Sequence, residues 1–171
     1  MKKKKLRLLL FEACNRNCTG CCNKDWDLKS LSYCTDYTPY SEILLTGGEP
    51  MLKPDLVIRV VEKIRRQTTA PIILYTADLT KPLWLFLIAP NIDGLTVTLQ
   101  GPNDALAFKA FDKQFKPPMR MLDRLRLNVF KEVGAVEAKP YWKVKPDMEW
   151  IKNCPLPDGE VFMRYKEDDA I

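Results

Sequence analysis

The sequence predicts an α/β protein that folds as a partial (β/α) barrel of about five or six parallel strands. Short apolar runs alternate with segments of helical periodicity, at intervals of roughly thirty residues, and this order is typical of parallel βαβ units. The chain has 171 residues, whereas a full eight-unit barrel usually needs at least about 200. We therefore expect one open-barrel domain over residues 1–171, with a core at 6–130 and a C-terminal extension at 131–171.

The first half of the chain contains three predicted strands, at residues 6–11, 42–46 and 71–75. Residues 22–41 are polar and irregular, and they predict a long loop with one helical turn. A helix is predicted between the second and third strands, because aliphatic residues recur at helical spacing after Pro54. These residues are Leu56, Val57, Val60, Val61 and Ile64.

The second half repeats this order. A short helix is predicted at residues 82–89, and strands are predicted at 94–99 and 125–130. Between these strands, Phe108, Phe111 and Phe115 mark one face of a further helix. Two additional strands are predicted beyond this core, at residues 133–136 and 160–165.

Composition excludes several classes of chemistry. The chain has no histidine, which excludes Cys/His zinc fingers and histidine acid–base catalysis. Its longest apolar stretch, near residues 82–90, is too short to span a membrane. The net charge of +5 is mild, and no recognised nucleic-acid motif accompanies it, so we expect a solvated surface and no nucleic-acid ligand.

The strongest chemical signal is the spacing of Cys14, Cys18 and Cys21 directly after the first predicted strand. Three thiolates on one loop can hold three irons of a cubane iron–sulfur cluster. The fourth iron then lacks a protein ligand, and an open coordination position is typical of reactive rather than structural metal sites. A second motif, residues 47–50 with the sequence Gly-Gly-Glu-Pro, follows the second strand. Both motifs fall at carboxyl ends of strands, where parallel α/β sheets carry their chemistry.

This C-x3-C-x2-C loop, followed by Gly-Gly-Glu-Pro about 25 residues later, resembles the radical S-adenosylmethionine superfamily. The resemblance implies a full or partial (β/α) barrel and an enzyme that binds a [4Fe–4S] cluster and S-adenosylmethionine. In that family the methionine amino and carboxylate groups chelate the open iron. One electron from the cluster breaks the sulfonium bond, and a 5′-deoxyadenosyl radical then abstracts a hydrogen atom from the substrate.

The resemblance also implies roles for individual residues. Cys14, Cys18 and Cys21 are expected to bind the cluster. The motif at 47–50 is expected to bind the methionine amino group through Gly47, Gly48 and Glu49, with Pro50 shaping the turn. Further candidates are polar residues at the ends of later strands, where the family contacts the ribose: Thr76, Thr98 and Gln100.

On the fifth strand, Arg126 and Asn128 are candidates to face the cofactor or the substrate. An alternative interpretation applies equally to the strand-end residues and to these two, namely that each is a polar group satisfied locally.

The cysteine loop has its own variation. Many family members carry an aromatic residue just before the third cysteine, where this chain has Gly20. The pattern from Cys14 to Asn23, C-N-x-x-C-x-G-C-x-N, is similar to the activating proteins of anaerobic ribonucleotide reductases, which also have glycine there. The chain therefore resembles a small activase-like member of the superfamily.

Three cysteines lie outside the motif, at Cys22, Cys34 and Cys154. They suggest either a second cluster or redox pair, or buried and idle thiols. We favour idle thiols, because a second [4Fe–4S] cluster usually needs four thiolates and these three are widely scattered.

Several functions stay open at this point. A radical enzyme of this size is expected either to activate a glycyl radical enzyme or to modify a small molecule, nucleotide or peptide directly. Direct modification predicts a closed pocket supplied by residues 142–165. The alternative outside enzymology is a non-catalytic metal protein, closed by Cys34 or Cys154 as a fourth ligand.

An oxygen-sensitive cluster predicts a cytoplasmic location. It also predicts an electron donor such as a flavodoxin or ferredoxin, and the basic charge of the chain suits an acidic donor.

Overall fold

The structure is a computed structural model that describes residues 3–167. Its eight strands form one sheet in the order β2-β8-β1-β3-β4-β5-β6-β7. All neighbouring pairs are parallel. The strands are β1 (Lys5–Leu9), β2 (Tyr33–Cys34), β3 (Glu42–Thr46), β4 (Ile72–Thr76), β5 (Gly94–Leu99), β6 (Leu125–Phe130), β7 (Lys143–Met148) and β8 (Glu160–Tyr165).

Three helices connect consecutive strands from β3 to β6. They are α1 (Pro54–Arg65), α2 (Pro82–Ile88) and α3 (Pro102–Gln114). Each begins with proline, whose fixed φ suits the first helical position and whose missing N–H costs nothing there. Short 3₁₀ helices occupy Cys22–Lys24, Leu28–Ser30, Pro50–Leu52, Ala89–Asn91, Met119–Arg124 and Lys131–Val133.

The core fills the space between the sheet and these helices. The strands contribute alternating aliphatic residues that are fully buried, including Leu6, Leu8, Ile43 and Leu45. The apolar face of α1 is buried as its periodicity predicts, and α3 buries Phe108 and Phe111, with Phe115 directly after the helix. Within residues 3–167, no helix combines the length and apolar character needed to cross a membrane.

The predicted α/β class with parallel strands is confirmed. An open sheet of parallel strands is compatible with a partial barrel. The predicted count of five or six strands is wrong, because the sheet has eight. Strands β3, β5, β6 and β8 have the predicted bounds, while β1 begins one residue earlier than expected and ends two residues earlier.

The predicted strand at 133–136 is wrong. Lys131–Val133 is a 3₁₀ helix, and Gly134 then takes a positive φ of 78° that turns the chain away from an extended path. Val133, at the end of this 3₁₀ helix, and Val136, in the segment after it, are partly buried against the core without belonging to a strand.

The two strands that the sequence did not predict both lie at sheet edges. β2 has only two residues, and β7 is largely exposed and contains Pro146, which an edge strand tolerates. Strand β8, from the region expected to be a C-terminal extension, lies inside the sheet between β1 and β2.

Candidate functional site

One cavity of about 390 Å³ lies at the carboxyl ends of β1, β3, β4 and β5. All the residues predicted to bind the cluster, the methionine group or the ribose line it. These are Cys14, Cys18, Cys21, Gly47, Gly48, Glu49, Pro50, Thr76, Thr98 and Gln100. They come together because parallel strands bring their carboxyl ends to the same edge of the sheet. The volume is within the range of small-molecule sites, roughly 300–1,000 Å³.

Gly48 allows the loop after β3 to lie directly against the start of the cysteine loop. A Cβ atom at this position would be 1.8 Å from the carbonyl oxygen of Ala13, and one at Gly47 would be 2.9 Å from that of Phe11. The backbone N–H of Gly48 donates to Phe11 O at 2.8 Å, and that of Glu49 donates to Ala13 O at 3.0 Å. These two N–H groups therefore hold the cysteine loop in place and are already engaged within the protein.

Glu49 joins the ends of β3 and β4 through a buried carboxylate that is 2% exposed. Its Oε1 accepts hydrogen bonds from Met51 N at 3.0 Å and from the Thr76 hydroxyl at 2.6 Å, and its Oε2 accepts from Ala77 N at 2.9 Å. Burial raises the pKa of Glu49, although the three hydrogen bonds oppose this shift. A carboxylate has about four acceptor sites, so little capacity is left for a ligand.

Thr76 lies on the cavity, but its hydroxyl is used inside the protein. It donates to Glu49 and accepts from Asp78 N at 3.0 Å. This arrangement matches the interpretation of a strand-end polar group satisfied locally. Thr98, by contrast, is partly exposed where it lines the cavity.

Arg16, inside the cysteine loop, clamps that loop onto the ends of β4 and β5. Its guanidinium donates to Ala77 O at 2.9 Å, to Gln100 Oε1 at 3.3 Å and to the carboxylate of Asp104, with which it forms an ion pair. Gln100 Oε1 also accepts from the Cys18 thiol at 3.0 Å. The Asp104 carboxylate in turn accepts from the backbone N–H groups of Gln100 and Gly101, which lie between β5 and α3.

Two asparagines complete the attachment of the cysteine loop. Asn15 donates to Asp78 Oδ2 at 3.2 Å, and Asn23 donates to Gly47 O at 3.0 Å. The Asp78 carboxylate also accepts from Thr80. Burial raises the pKa of Asp78, but the hydrogen bonds from Thr80 and Asn15 and the charge of Lys81 together lower it below its ordinary value. The loop is thus fixed along its length by hydrogen bonds to backbone and side-chain groups that follow β3, β4 and β5.

The three motif cysteines are free thiols on the cavity, with Cys14 exposed and the other two partly buried. Although Cys14 is exposed as a residue, partial desolvation of its thiol raises the pKa of Cys14. Among residues 3–167, no three Cys, Asp or Glu side chains converge closely enough to hold a single metal ion.

The remaining cysteines are placed differently from the prediction. Cys34 is buried and free, as expected. For Cys22 and Cys154 the interpretation as idle thiols is wrong, because they form a disulfide with Cα atoms 5.2 Å apart. The cavity is therefore lined by three free thiols, and no fourth free thiol lies on it.

This donor set fits a [4Fe–4S] cluster. In a cubane each cysteine binds a different iron, so the ligands surround the cluster instead of converging on one ion. Three free thiols on one cavity would hold three irons of such a cluster and would leave the fourth without a protein ligand. A closed four-cysteine site would need Cys34 or Cys154 as its fourth ligand. Cys34 is buried away from the cavity, and Cys154 is bonded to Cys22.

The C-terminal region forms the opposite wall of the cavity. Trp150 lies on Gly20, where an added Cβ would be 2.6 Å from the Trp150 Cβ, and its ring packs on Phe130 with centroids 4.3 Å apart. Trp26 and Phe162 also line the cavity and pack edge to face with ring centroids 5.2 Å apart. This wall also includes Ile151, Cys154, Pro155, Leu156 and Pro157.

Some expectations about site residues are not met. Arg126 is exposed and Asn128 is partly buried on β6, and neither lines the cavity. Sequence reasoning missed Arg16 and Trp150. An arginine between two motif cysteines was a signal for the first, whereas nothing local to residue 150 indicates that it packs on residue 20.

No family model matches the chain, and a search of curated proteins finds no match either.

Proposed function

We propose that this chain is a radical S-adenosylmethionine enzyme that holds one [4Fe–4S] cluster through Cys14, Cys18 and Cys21. The observation that carries the proposal is the composition of the cavity. Three free thiols share it with the Gly-Gly-Glu-Pro motif and with polar residues from two further strand ends. When bound, the cluster supplies the electron that cleaves S-adenosylmethionine to a 5′-deoxyadenosyl radical able to abstract hydrogen from a substrate.

The role of the protein in this proposal is to hold the thiols and to shape the cavity. Arg16 fixes the middle of the cysteine loop and brings a positive charge beside thiols that are anionic when they bind metal. Glu49 keeps the loop after β3 in register with the end of β4. Thr98 and the Gln100 side chain are the strand-end groups that line the cavity beside the thiols.

The C-terminal wall favours direct modification of a small molecule, nucleotide or peptide over activation of a protein partner. Direct modification predicts a closed pocket supplied by residues 142–165. The residues of that range that line the cavity are Trp150, Ile151, Cys154, Pro155, Leu156, Pro157 and Phe162. An aromatic and apolar wall facing a polar one suits a compact substrate. Activation of a glycyl radical enzyme is the second candidate, favoured by the likeness of the cysteine loop to activating proteins.

The test is anaerobic reconstitution with iron and sulfide, followed by reduction in the presence of S-adenosylmethionine. We expect about four irons per chain and release of 5′-deoxyadenosine. Cys14→Ala, Cys18→Ala and Cys21→Ala are each expected to lose this product, while Cys34→Ala, which removes a thiol outside the cavity, keeps it. Zinc in place of iron, or an intact cluster that yields no 5′-deoxyadenosine, would support a non-catalytic metal protein instead.

Assays with candidate substrates separate the two enzymatic branches. Free nucleotides, peptides and small molecules are compared with glycyl radical enzymes, and the readout is the increase in 5′-deoxyadenosine together with deuterium transfer from labelled substrate. A glycyl radical signal on a partner protein would overturn the preference for direct modification.

We further propose a cytoplasmic enzyme that takes its electron from a flavodoxin-like or ferredoxin-like protein. The net charge of +5 suits an acidic donor. Because salt screens charges at protein surfaces, turnover with such a donor is expected to fall as ionic strength rises, whereas turnover with a small chemical reductant is not. Equal salt dependence for both reductants would remove the argument for an acidic donor.

A further inference from the structure

Cys22 and Cys154 connect two parts of the chain that are 132 residues apart in sequence. Cys22 directly follows the cluster ligand Cys21, and Cys154 lies in the segment between β7 and β8. The Cα–Cα distance of 5.2 Å is within the usual range for disulfides, about 4.4–6.8 Å. Both residues line the cavity.

The segment around Cys154 has few other attachments. Residues 151–153 are exposed, and Asn153 and Cys154 adopt positive φ angles of 62° and 31°. Non-glycine residues rarely take such angles and keep them only where their surroundings hold them. The Trp26 indole donates to Cys154 O at 3.1 Å, and Trp150 packs on Gly20. The disulfide is the covalent attachment of this wall.

We propose that Cys22 and Cys154 form a reversible dithiol–disulfide site, whose reactant is an external dithiol and whose oxidation fastens the C-terminal wall to the cysteine loop. The regulatory consequence rests on the proposed function, since the wall belongs to the same cavity. A permanent disulfide and an oxygen-sensitive cluster belong to different redox surroundings, because cytosolic disulfides are usually transient and redox-sensing. A reversible pair is compatible with both.

The exposures of the two sulfur-bearing residues set the order of the exchange. Cys22 is exposed, whereas Cys154 is 6% exposed. A thiolate of the dithiol attacks the Cys22 sulfur, forming a mixed disulfide and releasing Cys154 as a thiolate that takes up a proton. The second thiol of the reagent then attacks its own mixed-disulfide sulfur and releases Cys22. Two electrons and two protons pass to the protein, and the reagent becomes a disulfide.

Reduction is expected to free the wall around Trp150. Without the covalent link, the left-handed conformation at Asn153 and Cys154 loses its main support. The segment then moves away from Gly20 and opens the cavity beside Cys21. Oxidation reverses the change, so the redox state of the pair controls access to the three free thiols.

The test uses the full chain without metal, equilibrated with defined ratios of reduced and oxidised dithiothreitol. After acid quenching and alkylation, mass spectrometry measures labelling of each cysteine. We expect Cys22 and Cys154 to become labelled together over one range of ratios. Limited trypsin digestion measures opening, because Lys152 is exposed in the segment, and its cleavage is expected to be at least fivefold faster after reduction.

Matched serine variants complete the experiment. Cys22→Ser is expected to be cleaved rapidly after Lys152 under both redox conditions, while Cys34→Ser keeps the redox response of the unaltered chain. In Cys154→Ser, Cys22 has lost its partner thiol and is expected to be alkylated at every ratio of reduced to oxidised dithiothreitol. The inference is overturned if the pair never forms, if native protein resists reduction, or if cleavage after Lys152 is the same in both states.

Failure of this inference is distinguishable from failure of the proposed function. If the pair cycles but reconstituted chain releases no 5′-deoxyadenosine, the dithiol site stands and the radical chemistry fails. If 5′-deoxyadenosine is released and the pair does not cycle, the radical chemistry stands and the dithiol site fails. Loss of cluster iron in a Cys22→Ser, Cys154→Ser double variant would make these cysteines metal ligands and overturn the dithiol site.

Discussion

Replacing Gly48 with alanine places a methyl group where the carbonyl oxygen of Ala13 lies. The two atoms would be 1.8 Å apart, and they must separate by about 1.5 Å to reach the roughly 3.3 Å at which carbon and carbonyl oxygen normally meet. The Ala13 carbonyl belongs to the backbone and cannot rotate away as a flexible side chain can. The start of the cysteine loop must therefore move. That movement breaks the hydrogen bonds from Gly48 N and Glu49 N.

The size of the effect follows from these contacts. Two lost hydrogen bonds at about 0.5–1.5 kcal/mol each, with overpacking of about 1–3 kcal/mol, give a destabilisation of about 2–6 kcal/mol. For a chain of this size, at about 2–4 °C per kcal/mol, that corresponds to a melting temperature lower by about 4–24 °C. Because the displaced residues lead directly into Cys14, we also expect reconstituted Gly48→Ala to hold less than half the iron of the unaltered chain.

The matched control is Gly101→Ala. An added Cβ at Gly101 meets nothing within 4 Å, and its φ of −153° is extended backbone that alanine adopts readily. Its effect on stability is expected to stay within about 0.5 kcal/mol. Urea unfolding followed by tryptophan fluorescence compares the two variants. Equal stability and equal iron content in both would refute the close approach of the two loops.

Three further substitutions test the site and the fold. Glu49→Gln is expected to lower the free energy of unfolding at neutral pH by about 1–3 kcal/mol, because an amide NH₂ would face one of the three donors. Since burial raises the pKa of Glu49, the folded state binds its proton more tightly. Stability should therefore fall as pH rises from the ordinary carboxyl pKa through the raised one, and pH-dependent urea titrations of Glu49→Gln should lack this slope. Arg16→Ala is expected to reduce 5′-deoxyadenosine formation at least tenfold. Arg59→Ala, which breaks an exposed ion pair on α1, is expected to leave it unchanged. Equal rates in the two variants would mean that the Arg16 contacts do not position the cysteine loop. Asp112→Ala leaves the buried Trp142 indole N–H without its acceptor at 2.8 Å. Calorimetry should show that this lowers the free energy of unfolding by about 2–3 kcal/mol. The control, Asp123→Ala at an exposed residue, should lower it by less than about 0.5 kcal/mol.

Strands in the centre of the sheet are well predicted from the sequence, and edge strands are not. β3, β5 and β6 are bounded by turn residues and are largely buried, so their apolar runs report their extent directly. β7 carries exposed lysines and Pro146 at an edge, where burial imposes no pattern. Residues 133–136 show the opposite case. Their apolar side chains give the sequence the pattern of a strand, but Val133 and Val136 pack against the core from a region that forms no strand.

Candidate site residues are predictable where they follow strands directly. The cysteine motif and the Gly-Gly-Glu-Pro motif lie at strand ends, and parallel strands bring these ends to one edge. Trp150 and the Cys22–Cys154 disulfide depend instead on where a distant segment returns to the cavity. No local pattern encodes such a return, because it is decided by tertiary packing of β8 between β1 and β2.

Electron paramagnetic resonance of the reduced, reconstituted chain tests the open iron most directly. If three thiols hold the cluster and leave one iron free, adding S-adenosylmethionine changes the spectrum of the cluster, and methionine labelled with ¹⁷O or ¹⁵N at its carboxylate and amino groups shows hyperfine coupling to it. A spectrum that is unchanged by saturating S-adenosylmethionine, with no coupling to the labelled groups, would contradict the account.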